Sequence, residues 1–285
     1  MKNKTCIIIS GATAAGKTPF GIELAQKYNT EIISADSRQC FRELNIGVAK
    51  PAKEQLESVH HYFINSHSIH DEVNAKIFEE YALNAATEIF KNNEVAIVVG
   101  GTGLYIKAFC EGLDDVPPVN EAVRNTINEA YENNGLNWLQ EQIRENDPLY
   151  FSTGGRENPQ RMQRALEVKL STGQSILSFQ SGKKVKREFD IKNINLEISR
   201  DVLYKRINQR VDEMMQDGLL KEAVSLFPYR NLNALQTVGY RELFEYIDGK
   251  MSLGEAVDVI KKNTRHFAKR QITWFKSHPA NYPVS

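Results

Sequence analysis

Gly11-Ala12-Thr13-Ala14-Ala15-Gly16-Lys17-Thr18 follows directly on the apolar run Cys6-Ile7-Ile8-Ile9 and precedes the amphipathic stretch Phe20 to Tyr28. A short buried strand feeding a glycine-bounded loop and then a helix is the sequence signature of a phosphate-binding loop. The glycines let backbone N–H groups turn inward as an anion nest, and the helix N-terminus points at the ligand. Lys17 adds a point charge, and the Thr18 hydroxyl is a candidate Mg²⁺ ligand, directly or through water. The loop therefore predicts a bound diphosphate without saying whose it is.

Working outward, Glu31-Ile32-Ile33-Ser34-Ala35 reads as a second buried strand ending in Asp36-Ser37-Arg38-Gln39. Val95 to Val99 reads as a third, closed by Gly100-Gly101-Thr102-Gly103, with helical spacing over Phe78 to Phe90 and Leu104 to Cys110. Strands alternating with helices imply right-handed crossovers and a parallel sheet covered on both faces. All three polar loops follow the carboxyl ends of strands, the edge where such folds bind ligands. After the breaker-rich Leu113-Asp114-Asp115-Val116-Pro117-Pro118, the chain from Asn120 to Thr172 is charged, helical in period and poor in strand signals. A basic linker, Lys183 to Arg187, leads to an alternating strand pattern over Ile191 to Ile198. Helical patterns then cover Leu203 to Gln216, Leu219 to Leu226, Arg241 to Ile247 and Leu253 to Lys276. The expected fold is α/β: a parallel core (1–115 and 188–285) interrupted by a mostly helical insertion (116–187).

The 285 residues carry equal numbers of acidic and basic side chains, and no apolar run approaches membrane length. With no secretory leader evident, a cytoplasmic location is expected. Three widely spaced cysteines, Cys6, Cys40 and Cys110, support neither a disulfide framework nor a zinc knuckle. Charge is unevenly distributed: Gly155 to Arg187 holds eight Lys/Arg against two Asp/Glu, and Lys261 to Lys276 six against none. Two such patches point to nucleic acid or to solvated faces.

Asp36 sits at a strand end on the ligand edge, as a proton acceptor or water-bridged metal partner, with a helix cap as the plainer role. Thr102 lies on the same edge, placed to hydrogen-bond a transferred group. His60 and His61 are adjacent, which makes them poor joint metal ligands, so structural or substrate-lining roles are expected. Phe227, Tyr229, Tyr240 and Trp274 are candidates for stacking on bases, although aromatics at helical spacing more often pack in the core.

Together these motifs make the sequence resemble the bacterial tRNA dimethylallyltransferases, also called the tRNA isopentenyltransferase family. Nine strings carry the likeness in order: GATAAGKT from Gly11, ADSRQ from Ala35, IGVAKP from Ile46, HH at His60, VGGTGLYI from Val99, NPQRMQRALEV from Asn158, LYKRINQRVDEMMQDGLLKEA from Leu203, TVGYREL from Thr237 and TRHFAKRQITWF from Thr264. The resemblance implies a P-loop NTPase-like core and transfer of a dimethylallyl group from dimethylallyl diphosphate to N6 of the adenosine 3′ of the tRNA anticodon, with Mg²⁺. It implies Asp36 as base and Thr102 at the reaction site. Gly11, Ala12, Thr13, Ala14, Ala15, Gly16, Lys17 and Thr18 would hold the diphosphate. Asp36, Ser37, Arg38, Gln39, Thr102 and Arg124, with Gln160, Arg161, Met162, Gln163 and Arg164, would contact the tRNA anticodon stem-loop.

Arg206 and Arg210 are candidates to face the diphosphate or to lie on a surface helix, while Arg265, Lys269 and Arg270 are assigned to the tRNA backbone. Ala12 stands where Pro is common in the family, Ala15 where Ser is common, and Val48 where Thr is common. The first two leave the backbone nest intact; the third removes a hydroxyl. Eukaryotic members carry a C-terminal zinc finger whose cysteines the chain lacks, so no zinc is expected. A soluble monomer is expected. Three other readings stay open at this point: a prenyltransferase acting on free adenine nucleotides, a P-loop small-molecule kinase, and a non-catalytic RNA-binding protein.

Overall fold

In a computed structural model, which describes residues 4–153, 155 and 157–278, the chain divides into two compact units. Met1–Gly112 with Lys186–Ser285 forms one and Leu113–Val185 the other. The first unit begins with β1 (Thr5–Gly11), α1 (Lys17–Tyr28), β2 (Ile32–Ala35), α2 (Lys53–Ser58), β3 (His61–Tyr62), α3 (Ala75–Asn92), β4 (Val95–Gly100) and α4 (Gly103–Glu111). The second unit holds α5 (Glu121–Asn146), α6 (Pro148–Ser152) and α7 (Pro159–Thr172). The chain then returns as β5 (Asp190–Leu196), α8 (Arg200–Gln216), α9 (Leu219–Leu226), α10 (Tyr240–Ile247) and α11 (Leu253–Ser277).

Five parallel strands in the order β3-β2-β4-β1-β5 make the sheet. Along β1 the side chains alternate between its faces: Cys6 and Ile8 join the large core under α3 and α4, whereas Ile7 and Ile9 pack with Ile22 and Ala25 of α1. Both faces are thus apolar, which is why the strand reads as a continuous hydrophobic run. β3 pairs only His61 and Tyr62 with β2, and two residues leave no periodicity to read. All three cysteines are buried, and none is joined in a disulfide.

Because β2, β4 and β1 are neighbours, the loops after them are neighbours at one edge of the sheet. Those loops carry Asp36, Thr102 and the phosphate loop.

In the second unit, α5, α6 and α7 start at Asn120, Asp147 and Asn158, whose side chains each accept an N–H from the first turn. Gly135 breaks α5 with a φ of 72°. Ile127, Leu139, Ile143, Tyr150, Met162, Ala165 and Leu166 form the core. Among the described residues this unit contains no strand.

Arg187 departs from its reading as part of a solvated basic linker. Its guanidinium donates to Phe109 O at 2.8 Å, Ala108 O at 2.7 Å and Glu79 Oε1 at 2.6 Å. It therefore caps α4 and neutralises a buried carboxylate, leaving the basic patch one charge smaller.

Candidate active site

The phosphate loop turns through Ala14 (φ 62°) and Gly16 (φ 95°), the left-handed geometry that points successive N–H groups to one side. Gly16 caps α1 with no side-chain acceptor, so the first-turn N–H groups of that helix are left for a ligand. Ala12 and Ala14 are buried against Leu203, Ile207 and Ala268, so α8 and α11 hold the loop from behind. Not every loop N–H is open to phosphate: Ala15 N donates to Ala12 O at 3.2 Å, and Thr13 N donates to Gln271 Oε1 at 2.8 Å.

Lys17 Nζ donates to Ala12 O at 2.7 Å. Burial pushes the ammonium down to about 8 and nearby Arg210 adds to the depression, while Asp36 opposes it. Arg210, itself drawn below its ordinary value by burial, reaches Thr13 Oγ1 at 3.4 Å. Two largely buried cations beside one anion nest give the cavity wall a positive charge that suits an anion. Arg206 is exposed on α8. It is four positions from Arg210, but a one-turn advance along a helix does not preserve depth in the cavity, and Arg206 lines none of it.

Asp36 Oδ1 accepts the N–H groups of Arg38 at 2.9 Å and Gln39 at 3.2 Å. The capping role is therefore real, and it serves one oxygen of the carboxylate. Thr102 Oγ1 accepts Ser37 N at 3.1 Å and lies 3.4 Å from Ser37 Oγ, tying the loops after β2 and β4 together. Arg38 donates to Asn233 O at 2.9 Å. Gln39 is spent within the protein: its amide donates to Val48 O at 3.2 Å and Ala49 O at 3.1 Å.

Two cavities meet here. One, of about 130 Å³, is lined by Gly16, Lys17, Thr18, Gln39, His61 and Gln271. The other, about 370 Å³, is lined by Ser37, Arg38, Thr102, Thr237, Gly239 and Arg270. Thr13, Asp36, Val48, Ala49, Arg210 and Phe267 belong to the walls of both. Val48, where the family commonly has a hydroxyl, offers an apolar side chain at this junction. His61 pairs its Nδ1 with Val59 O at 2.7 Å and is pushed down by burial, while His60 lies edge-on to Tyr62. Tyr240 is fully buried and Tyr229 exposed; Trp274 stacks on His278.

The remaining predicted contacts fall in the second unit. Gln160 and Arg161 are exposed at the start of α7. Gln163 Nε2 donates to Asn128 Oδ1 at 3.1 Å. Arg164 and Arg124 both approach Glu167, at 3.4 and 3.6 Å, so one buried carboxylate orients two guanidinium groups. Met162 is a correction: it is 0% exposed within the unit's core, because its position on α7 shares the inward face with Ala165 and Leu166.

Sequence reasoning missed two residues. Gln271 lies buried between Thr13 and Gly101. Glu222 accepts the N–H groups of Ile46 at 2.9 Å and Gly47 at 3.0 Å and the Tyr240 hydroxyl at 2.5 Å. A Cβ at Gly47 would stand 2.5 Å from the Tyr240 ring. Both residues look like ordinary polar positions on amphipathic helices, and only the packed loops opposite reveal their roles.

A phosphate loop on a parallel α/β sheet, with a carboxylate bridging its cavity to a second one, defines a protein that handles a phosphorylated substrate beside another reactant. Residues 39–278 match the family model described as IPP transferase, and the chain belongs to that family. It is 48% identical to the tRNA dimethylallyltransferase of Christiangramia forsetii over 273 residues, covering 96% of this chain and 90% of that protein. The tRNA dimethylallyltransferase of Flavobacterium psychrophilum is 47% identical over 276 residues, 95% and 90% of the two chains. Among solved structures, the tRNA isopentenylpyrophosphate transferase of Bacillus halodurans aligns with a TM-score of 0.68 at 35% identity, covering 96% of this chain and 87% of that one. A eukaryotic dimethylallyltransferase acting on tRNA aligns with a TM-score of 0.80 at 26% identity, covering 97% and 71%.

Proposed function

We propose that this protein is a tRNA dimethylallyltransferase: it transfers the dimethylallyl group of dimethylallyl diphosphate to N6 of the adenosine 3′-adjacent to the anticodon, releasing diphosphate. The observation that carries the reading is that Asp36 belongs to the walls of both cavities. One side of it holds the phosphate loop, and the other opens towards Thr102 and Arg270. A carboxylate at that junction reaches an incoming nucleophile while the leaving group stays on the far side.

Adenine N6 is a weak nucleophile because its lone pair is delocalised into the ring. In the transfer, the N6–C bond forms, the allylic C–O bond breaks, the proton of N6 passes to Asp36, and the electron pair departs with the diphosphate. Lys17, Arg210 and the α1 N-terminus stabilise the charge that develops there. Apolar Val48 and Phe267 at the junction shield the allylic centre from water. The hard oxygens of Thr18 and Asp36 line one cavity and fit Mg²⁺, which Thr18 would hold directly or through water and Asp36 would approach through water. When bound, it supplies further positive charge against the diphosphate.

Gln160, Arg161 and Arg164, with Arg124, contact the tRNA. Gln163 keeps α7 in place, and Met162 acts only by packing. Among the described residues no helix is long and apolar enough to cross a membrane. The protein acts in the cytoplasm as a monomer.

The test is nucleoside mass spectrometry after incubation with dimethylallyl diphosphate, Mg²⁺ and unmodified tRNA, with free AMP in parallel. Prenylated adenosine from tRNA alone is the expected result. Product from AMP would instead make it a nucleotide prenyltransferase, and ATP turnover without either product a kinase.

A further inference from the structure

Gln271, near the end of α11, is 7% exposed and takes no part in the transfer chemistry. Both halves of its amide are used, one on each side. Oε1 accepts the Thr13 N–H of the phosphate loop at 2.8 Å, and Nε2 donates to Gly101 O of the loop after β4 at 2.9 Å. Gly101 is shaped to this approach, since a Cβ there would stand 2.3 Å from Nε2. The residue that follows, Thr102, receives Ser37 N–H beside Asp36 and donates its own N–H to Ala35 O at 3.2 Å. A single rigid amide therefore joins the loop that grips the diphosphate to the loop that organises the acceptor side.

We propose that Gln271 is a positioning residue that sets the register between the two half-sites, holding the phosphate loop at the distance from Asp36 and Thr102 that transfer requires. The inference rests on the dimethylallyl transfer reading given above. Because the amide both donates and accepts, it fixes the direction of each bond, and no apolar or singly polar side chain reproduces it. Displacing one reactant by about 1 Å is enough to lower a rate about 100-fold.

Gln271→Met keeps the length of the side chain and removes both polar atoms. Assayed with dimethylallyl diphosphate and an anticodon stem-loop, the folded variant is expected to lose about 10- to 100-fold in kcat and to raise the KM for the donor. Its KM for the stem-loop should stay within about threefold of wild type.

Gln271→Glu adds a signature that simple packing cannot give. The protonated carboxyl reproduces both bonds, its carbonyl accepting from Thr13 and its O–H donating to Gly101 O, whereas the carboxylate sets a second acceptor against Gly101 O. Lys17, Asp36, His61 and Arg210 line the same cavity, so activity is read as a ratio to wild type at each pH. Burial at this position disfavours the carboxylate, so that ratio should climb as pH falls from about 8 to about 5.5. A residue that merely fills space would lower the melting temperature and leave the ratio flat. Wild-type kcat in folded Gln271→Met, or a pH-independent ratio for Gln271→Glu, overturns the proposal; should Gln271→Met fail to fold, Gln271→Glu alone decides. Wild-type enzyme in parallel separates the two ideas: product there with an indifferent variant refutes only the coupling, and no product refutes the function.

Discussion

Raising the pH should weaken the grip on the donor through Lys17 before it touches the chemistry. Burial takes the ammonium from 10.5 to about 8. That corresponds to about 3 kcal/mol against the charged form in the cavity without its anion. In the free enzyme the side chain is then about 90% protonated at pH 7 and about 10% at pH 9. The donor's last phosphate proton is gone above about pH 6, so the donor's charge stays constant across this range. kcat/KM for dimethylallyl diphosphate, which reports free-enzyme ionisations, should therefore be flat to about pH 7.5. Above about pH 8 it should fall roughly tenfold per pH unit. Bound diphosphate favours the ammonium, so kcat at saturating donor should hold to higher pH. Steady-state kinetics at fixed, saturating tRNA would read both. In Lys17→Arg the charge persists beyond about pH 12, and the inflection should vanish even if the level drops. A kcat/KM flat to about pH 9.5 in wild type, or an unchanged inflection in Lys17→Arg, would refute the reasoning.

Asp36→Asn keeps an oxygen to accept the Arg38 and Gln39 N–H groups and removes the proton acceptor. kcat should fall about 100- to 10,000-fold while the melting temperature stays close to wild type; a kcat within tenfold of wild type would remove Asp36 as the base. Arg161→Ala should raise the KM for tRNA more than that for the donor and reduce the salt slope of tRNA binding by about 1, read by titration at several salt concentrations. Glu222→Gln turns one of three acceptor contacts into an unsatisfied donor pair. Thermal unfolding should show a loss of about 2–3 kcal/mol, and a change below about 0.5 kcal/mol would mean the Ile46–Gly47 anchor lies elsewhere.

The legible parts of this chain are those encoded within a few residues. β1 and its loop announce themselves because a strand buried on both faces must be continuously apolar, and a nest needs its glycines at fixed spacing. Asp36 and Thr102 were readable because parallel topology sends the ends of β2 and β4 to the same edge as the end of β1. Helix bounds came close, α9 coinciding with the apolar pattern from Leu219 to Leu226, since each amphipathic stripe ends where a glycine, an Asx residue or a proline ends it. β3 was not legible, because pairing of two residues reflects its neighbour β2 and not its own composition.

What escaped is chemistry held together across long sequence separations. Gln271 lies 258 positions from Thr13 and 170 from Gly101. Nothing in Arg270-Gln271-Ile272 distinguishes a surface glutamine from one that staples two loops. Arg210 and Arg206 show the same limit: both are basic residues on one face of α8, but one turn along the helix places only Arg210 within reach of Thr13, while Arg206 is exposed. It also strips Met162 from the list of contacts, for a residue between two candidate RNA ligands on a helix must point elsewhere. In each case the sequence supplies the chemical type and the helix supplies the direction. The function of this edge therefore depends on α8 and α11 as much as on the motifs in front of them: they bury Ala12 and Ala14, aim Arg210 and supply Gln271. A substitution on the loop-facing side of either helix, at Ile207 or Ala268, should move the phosphate loop although neither residue lines its cavity.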